Sequence, residues 1–283
     1  MGDEVPAELV ASLEAKALET RRDIIRMTYL AGSGHPGGSL SVTDLLTALL
    51  FHELKIDPKR PDWPDRDRLV LSKGHAAPAL YSGLSLRGFF PREELKTLRR
   101  TGSRLQGHVD RRIPGIEAAT GALGQGLGMA VGMALDARLG GRPSRVYVIL
   151  GDGECQAGST WEALLAGGHY KLENLVVILD RNGYEADGAT ESILGIEPID
   201  DKFRAFRYHT LEIDGHDFRQ ILGALDAARA TTTGPTAIVA RTVTGKGVSF
   251  MENSRAYLAR SPSRSEAERA LAELGVPASE VGW

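Results

Sequence analysis

The sequence predicts an α/β protein with a doubly wound parallel sheet and helices on both faces. Four short runs in the second half of the chain are rich in β-branched and other apolar residues. Runs that are apolar at successive positions are typical of strands covered on both faces, and helical stretches separate them. Right-handed crossover connections then place helices on both sides of the sheet. Ligands of such folds bind at the carboxyl ends of the strands, so polar motifs at those ends are candidate site residues.

Each element follows from the spacing of apolar residues along the chain. A long first helix is predicted for residues 4–31, and further helices are predicted for residues 43–54, 125–139, 159–170, 201–206 and 218–230. Strands are predicted for residues 68–71, 145–150, 174–180, 208–213 and 236–242. This pattern indicates a single α/β domain over residues 1–256, followed by a C-terminal helical extension over residues 257–283.

Composition narrows the class of protein. The chain has 283 residues, is 42% hydrophobic and 25% charged, and carries a net charge of −3, which is ordinary for a globular protein and does not favour nucleic-acid binding. No apolar run approaches the roughly 20 residues of a membrane span, and the acidic N-terminus is unlike a signal peptide. The single cysteine, Cys155, excludes an internal disulfide framework and predicts a cytoplasmic protein. We expect Cys155 to be a packed residue rather than a reactive thiolate, since no basic residue adjoins it.

The ends of two consecutive predicted strands carry oxygen ligands. Gly151-Asp152-Gly153 follows one strand, and Asn182 follows the next. Carboxylate and amide oxygens suit Mg²⁺ or Ca²⁺, and Mg²⁺ is usually shared with phosphate groups, so a diphosphate cofactor fits this motif. The two glycines allow backbone N–H groups to approach phosphate oxygens. The alternative interpretation is that both segments are simple turns. This interpretation is favoured for Gly-Asp-Gly taken alone, but less so once Asn182 at the end of the next strand is considered with it.

Three histidines lie in glycine-rich segments. His35, His75 and His108 each follow a glycine directly, and such loops leave an imidazole free to face a cleft. Imidazole donates or accepts a proton near neutral pH, so these residues are candidates for proton transfer. A single histidine of this kind is more often structural, but three in one chain favour a functional role.

Five motifs occur in the order found in transketolase and cover nearly the whole chain. They are S-G-H-P-G-G (33–38), L-S-K-G-H-A (71–76), T-G-A-L-G-Q-G (120–126), G-D-G-E-C-Q-A-G (151–158) and T-G-K-G-V-S-F-M-E-N (244–253). The chain therefore resembles the transketolase family, and it is most similar to the small N-terminal subunit of split bacterial and archaeal transketolases. The resemblance implies the thiamine-diphosphate-binding fold and the transfer of a two-carbon ketol unit from a ketose to an aldose.

The resemblance also implies roles for individual residues. It places His35, His75 and His108 in the donor-sugar channel. The residues that it assigns to cofactor binding are Gly121, Leu123, Gly151, Asp152, Gly153, Glu162 and Asn182. It assigns Mg²⁺ or Ca²⁺ to Asp152, Asn182 and the backbone carbonyl of Tyr184. A separate C-terminal subunit is expected to supply the activating glutamate, in an α2β2 assembly.

Two positions depart from the family pattern. Ala157 stands where the family has a glutamate of a proton-relay and subunit-contact network, although a second acidic member is retained as Glu162. Leu258 stands where the family has a histidine, and leucine neither donates a hydrogen bond nor transfers a proton. We expect weak activity on common ketose phosphates, or a different substrate, unless Arg255, Tyr257 or Arg260 compensates. Two alternatives remain open: a relative in specialised metabolism with another donor or acceptor, and a catalytically silent cofactor-binding partner.

Overall fold

The computed structural model describes residues 5–277, and these form a parallel sheet with helices on both faces. The strands are β1 Arg68–Leu71, β2 Val146–Gly151, β3 Leu175–Arg181, β4 Tyr184–Glu185, β5 Gly188–Ala189, β6 His209–Asp214 and β7 Thr236–Arg241. Five of them pair in the order β1-β2-β3-β7-β6, and every pair in this sheet is parallel. β4 and β5 form a small antiparallel hairpin. The predicted fold class is therefore confirmed.

Helices occupy both sides of this sheet. The α-helices are α1 Ala7–Ala31, α2 Pro36–Ser41, α3 Thr43–Ala48, α4 Ala77–Arg87, α5 Gly126–Leu139, α6 Gly158–His169, α7 Thr190–Ile193, α8 Ile199–Ala205, α9 Phe218–Ala230 and α10 Arg264–Glu273. Within residues 5–277, no helix is both long enough and apolar enough to cross a membrane.

Side chains alternate between the two faces along the central strands. One core contains Tyr147, Ile149, Val176 and Ile178 together with apolar residues of α1, α3, α4, α9 and α10. The opposite core contains Val146, Val148, Val177 and Leu179 together with residues of α5, α6 and α8. Because both faces of β2 and β3 are buried, these two strands contain almost no polar residues until their carboxyl ends, where the site begins.

Most predicted boundaries are within one or two residues of the observed ones. The strand predicted from residue 145 begins at Val146, because the N–H of Arg145 donates to the Asp67 carboxylate at 2.8 Å instead of joining the ladder. The helix predicted for residues 43–54 is wrong in its last part: after α3 the chain forms a π-turn, Leu49–Glu53. The buried Glu53 at its end accepts a hydrogen bond from Tyr147 at 2.5 Å. The predicted helix start at residue 4 lies outside the described residues.

The last helix belongs to the main core. Ser263 caps α10 by a reciprocal arrangement with Glu266, and this arrangement satisfies backbone donors at the helix start. Ala267, Ala270 and Leu271 of α10 are buried in the same core as α1. Helix α10 lies in the segment predicted as a C-terminal helical extension, and the division of the chain at residue 256 stays a prediction.

Candidate functional site

A cleft of about 410 Å³ opens at the carboxyl ends of β2 and β3. Its lining combines titratable side chains with glycine backbone: His35, Gly38, Lys73, His75, His108, Gly121, Leu123, Gly151, Asp152, Gly153, Glu154, Gln156, Asn182, Tyr184, Glu185, Ala186, Leu258 and Ala259. Every site residue predicted from the sequence lines this cleft except Glu162. A second depression of about 420 Å³ beside α6 is lined mainly by apolar groups such as Trp161, Leu194 and Phe206, and it contains none of the predicted residues.

Asp152 follows β2 and is 1% exposed. Its Oδ2 accepts a hydrogen bond from the N–H of Gly183 at 2.5 Å and pairs with the Arg181 guanidinium at 3.2 Å. Its Oδ1 is buried and has no hydrogen-bond partner within residues 5–277. Burial raises the pKa of Asp152 to about 6, although Arg181 acts in the opposite direction. A buried carboxylate oxygen without a partner is unfavourable, so a cation at this oxygen would complete the site.

Asn182 lies at the same rim of the sheet, because Gly151 and Asp180 are register partners in the β2–β3 ladder. Its Nδ2 is 3.3 Å from the Ser41 hydroxyl and 3.4 Å from Asp180 Oδ2. Its Oδ1 accepts a hydrogen bond from the N–H of Tyr184 at 3.0 Å and retains a second lone pair. The two polar side chains of the predicted metal motif thus lie at adjacent strand ends.

The donor set fits a hard cation that is shared with a diphosphate. Within residues 5–277 no group of three histidine, cysteine or acidic side chains could hold a metal ion by itself. One carboxylate, one amide and one backbone carbonyl leave coordination positions open for phosphate oxygens and water, which is the usual arrangement for Mg²⁺. Gly153 is required sterically, because a Cβ there would lie 2.9 Å from the Cβ of Glu185.

The three predicted histidines meet at one side of the cleft. The ring centroids of His35 and His75 are 5.3 Å apart, and those of His35 and His108 are 6.1 Å apart. Two glycines make room for them. A Cβ at Gly38 would lie 3.2 Å from Nε2 of His75, and a Cβ at Gly121 would lie 2.8 Å from Cδ2 of His108.

These histidines are held in the neutral form. Burial lowers the pKa of His35 to about 4, and the positive charge of Arg99 acts in the same direction. The pKa of His75 is lowered well below its ordinary value by burial and by Lys73. Burial and Arg99 also lower the pKa of His108. Neutral imidazoles at pH 7 offer one donor and one acceptor nitrogen each, which is the state required for accepting a proton from a hydroxyl. The Nδ1 of His35 is buried and has no partner within residues 5–277.

Sequence reasoning did not identify a buried ion pair beside the site. Lys73 and Asp180 pair with side chains that are 1% and 0% exposed. Asp180 also accepts a hydrogen bond from the Ser41 hydroxyl at 2.6 Å. The available signals were a lysine within the L-S-K-G-H-A motif and an aspartate at the carboxyl end of a strand. Neither signal specifies its partner, because the two residues are 107 positions apart.

Glu154 is a second residue that the sequence did not single out. It is 1% exposed, and burial raises its pKa. Its carboxyl accepts hydrogen bonds from the Ser72 hydroxyl and from the N–H of Gly124 at 2.8 Å. Glu154 therefore connects its own motif (151–158) by hydrogen bonds to two others, those that contain Ser72 (71–76) and Gly124 (120–126).

The positions that depart from the family pattern have clear locations. Ala157 packs against the glycine-rich segment 120–126. A Cβ added at Gly124 would lie 2.8 Å from the Cβ of Ala157. Glu162 is exposed on α6 and does not line the cleft, so its cofactor role stays a prediction. Cys155 is buried, as expected, and burial raises the pKa of its thiol.

Leu258 and Ala259 form an apolar part of the cleft wall. Two of the neighbours that could compensate for Leu258, Tyr257 and Arg260, both donate to Glu266, at 2.7 Å and 2.8 Å. Arg255 is exposed and does not line the cleft.

This fold and this cleft define an α/β protein with a polar ligand site at the carboxyl ends of its parallel strands. The family model for the transketolase thiamine diphosphate binding domain matches residues 19–275, so the chain belongs to the transketolase family.

Relatives of two kinds match the chain. The 6-deoxy-6-sulfo-D-fructose transketolase subunit of Clostridium sp. is 46% identical over 91% of this chain and 96% of its own length. An apulose-4-phosphate transketolase subunit from Phocaeicola vulgatus is 40% identical over 94% of both chains. The crystal structure of transketolase from Campylobacter jejuni superposes with a TM-score of 0.89 at 34% identity, covering 94% of this chain and 43% of that one. The chain thus spans less than half of a one-chain transketolase and nearly all of the separate subunits.

Proposed function

We propose that this chain is the cofactor-binding subunit of a two-component transketolase, which transfers a two-carbon ketol unit from a ketose to an aldose. The observation that carries the proposal is the convergence in one cleft of an unpartnered Asp152 oxygen, Asn182 and three neutral histidines. A diphosphate–metal end and a proton-transfer end thus lie within one cavity. The fold alone would not support this function, because related folds host many activities.

Each end of the cleft has a separate task. Thiamine diphosphate, when bound, supplies the nucleophilic carbon and the electron sink for breaking a carbon–carbon bond. Asp152, Asn182 and the carbonyl of Tyr184 would hold Mg²⁺, or alternatively Ca²⁺, against its diphosphate. His35, His75 and His108 would orient the donor hydroxyls and accept or return their protons, because their imidazoles are neutral at pH 7.

The remaining groups are proposed to come from a second subunit. Two relatives that match nearly end to end are named as subunits of transketolases, which supports a partner chain for this protein. That partner would supply the glutamate that activates the aminopyrimidine, and we propose an α2β2 assembly in the cytoplasm. The site would then lie at a subunit interface, a frequent location of ligand pockets.

The wall at Leu258 and Ala259 favours a specialised substrate over an ordinary ketose phosphate. An apolar wall leaves a substrate hydroxyl or phosphate oxygen opposite it without a partner, which disfavours donors that carry such a group there. Relatives at 46% and 40% identity are named for a sulfonated ketose and for apulose 4-phosphate. We therefore propose a donor or acceptor of specialised carbohydrate metabolism. The third candidate, a catalytically silent partner, predicts cofactor binding without carbon–carbon bond cleavage.

The test is reconstitution. The chain is mixed with its cognate C-terminal-type subunit, thiamine diphosphate and Mg²⁺. Aldehyde release from D-xylulose 5-phosphate and from 6-deoxy-6-sulfo-D-fructose is measured with an aldose acceptor. Turnover of at least one donor by the complex, and none by the lone chain, is the expected result. Cofactor binding without cleavage of any donor would support the silent partner, and turnover by the lone chain would contradict the two-component site.

A further inference from the structure

The two carboxylate oxygens of Asp152 are engaged very unequally. Oδ2 accepts a hydrogen bond from the N–H of Gly183 at 2.5 Å and lies 3.4 Å from the hydroxyl of Thr190. An ion pair of 3.2 Å also joins Oδ2 to Nη1 of Arg181. Oδ1 is buried and has no hydrogen-bond partner within residues 5–277. Three groups therefore hold one oxygen, and only the other oxygen is left for a cation.

Arg181 is held beside Oδ2 by two further carboxylates. It is the last residue of β3, and its side chain is 6% exposed. Its Nη2 donates to Glu191 at 2.9 Å, and its Nε donates to Glu197 at 3.0 Å. A guanidinium is planar and stays protonated in proteins, so a positive charge is fixed at this position. Turning the side chain away from Asp152 would break both of these ion pairs.

This arrangement restricts how Asp152 can bind a cation. Ca²⁺ accepts roughly six to eight oxygen ligands in a flexible geometry, and a carboxylate can bind it through one oxygen or through both. Mg²⁺ demands a nearly octahedral geometry, in which the two oxygens of one carboxylate are too close together to serve as separate ligands. A cation shared by both oxygens of Asp152 would approach the fixed guanidinium, which repels it. Coordination through Oδ1 alone therefore suits Mg²⁺ and removes one of the ligands that Ca²⁺ could use.

We propose that Arg181 is a specificity-determining residue of the metal site, which restricts Asp152 to coordination through Oδ1 and thereby favours Mg²⁺ over Ca²⁺. This inference rests on the metal site of the proposed function and names the cation that the site selects. It concerns the ratio of the two affinities, because the charge of Arg181 repels both divalent cations to a similar extent.

The test compares Arg181→Met with a matched control, Arg241→Met. Both arginines donate to Glu197, at 3.0 Å and 2.9 Å, but Arg181 also pairs with Asp152, whereas Arg241 also pairs with Glu212. With thiamine diphosphate in constant excess, the chain is titrated with Mg²⁺ and with Ca²⁺ in a calorimeter. We expect the ratio of the Kd for Ca²⁺ to the Kd for Mg²⁺ to fall about tenfold in Arg181→Met and to change by less than about twofold in Arg241→Met. Equal changes in the two affinities of Arg181→Met, or the same fall of the ratio in Arg241→Met, would overturn the proposal.

A second variant covers the case in which Arg181→Met does not fold. Arg181→Gln can still donate a hydrogen bond to Glu197 but brings no positive charge to Asp152, so the same fall of the ratio is expected. A native ratio in folded Arg181→Gln would overturn the role of Arg181.

The titration needs neither a donor sugar nor the partner subunit, so it separates this inference from the proposed transferase function. If the ratio falls as expected while the reconstituted complex cleaves no donor, the role of Arg181 is supported and only the transferase function fails. If neither cation supports binding of thiamine diphosphate to the native chain, the metal site and the role of Arg181 are both overturned.

Discussion

Lys73 and Asp180 form an ion pair in which both side chains are almost completely buried, with 1% and 0% exposure. The pair joins the end of β1 to the end of β3 and lies beside Asn182 of the predicted metal motif, whose Nδ2 is 3.4 Å from Asp180 Oδ2. Asp180 also accepts hydrogen bonds from Ser41 and Thr242, so its carboxylate is fully engaged. A buried pair is weak evidence for net stability, but removing one partner leaves an uncompensated charge.

Lys73→Met should therefore destabilise the protein by about 3–5 kcal/mol in urea-induced unfolding. Lys246→Met is the matched control, because Lys246 forms a longer ion pair of 3.8 Å with Glu252 at the surface, and its loss should change stability by less than about 1 kcal/mol. Equal losses in the two variants would show that burial does not govern the effect.

Asp152→Ala should abolish metal-dependent binding of thiamine diphosphate, measured by calorimetry with and without Mg²⁺. The reason is that Asp152 Oδ1 is the buried oxygen that lacks a partner within residues 5–277. Asp62→Ala serves as control, since Asp62 is exposed and does not line the cleft. Cofactor affinity like that of the native protein in Asp152→Ala would refute the assignment of this metal ligand.

Leu258→His should raise activity of the reconstituted complex on D-xylulose 5-phosphate. A hydrogen-bond donor at this wall would pair with a substrate oxygen that is otherwise left without a partner. The cost of leaving that oxygen unpaired is about 1–3 kcal/mol, which corresponds to roughly tenfold to more than a hundredfold in rate. Ala259→Ser, at the adjacent position of the wall, tests whether any polar group there has the same effect. If the native complex already uses this donor as fast as an ordinary transketolase, the departure at Leu258 is inconsequential.

Glu197 should make stability depend on pH in the acid range. Burial raises the pKa of Glu197, but hydrogen bonds from the Ile199 N–H, Arg241 and Arg181 outweigh it and lower the pKa to about 2. Because the folded pKa lies below the unfolded value, the stabilisation is present above about pH 4.5 and is lost as the pH falls towards 2.

Glu197→Gln should therefore be less stable than the native protein by about 1 kcal/mol at pH 7, a value that allows for solvent screening. The difference should shrink between pH 4.5 and pH 2 in chemical denaturation. Glu14→Gln, an exposed change in α1, should leave the pH profile unaltered. A constant difference between pH 7 and pH 2 would contradict the role assigned to the Glu197 carboxylate.

The fold class and most of the residues that line the cleft could be predicted from the sequence. Strands that are apolar on both faces specify a parallel sheet, and its geometry brings Asp152 and Asn182 to one rim. Partnerships between distant side chains were not predictable, because a local pattern does not specify what a buried lysine or glutamate will meet. Lys73 with Asp180 and Glu154 with Gly124 are of this kind.

The partners of side chains that are close in sequence were not predictable either. Tyr257 and Arg260 are close to Leu258 in sequence, and this proximity suggested compensation for a missing donor. Both side chains bind Glu266 at the start of α10 instead, which only the packed structure reveals. The π-turn after α3 was missed for a similar reason, since its apolar pattern is that of a continuing helix.

The most direct test of the central claim is a crystal structure of the chain with thiamine diphosphate and Ca²⁺, with the cation located by its anomalous scattering. We expect one calcium peak about 2.3–2.6 Å from Asp152 Oδ1, Asn182 Oδ1 and the carbonyl oxygen of Tyr184, with diphosphate oxygens completing its coordination. A calcium peak away from these atoms, or a diphosphate bound outside the cleft, would contradict the account.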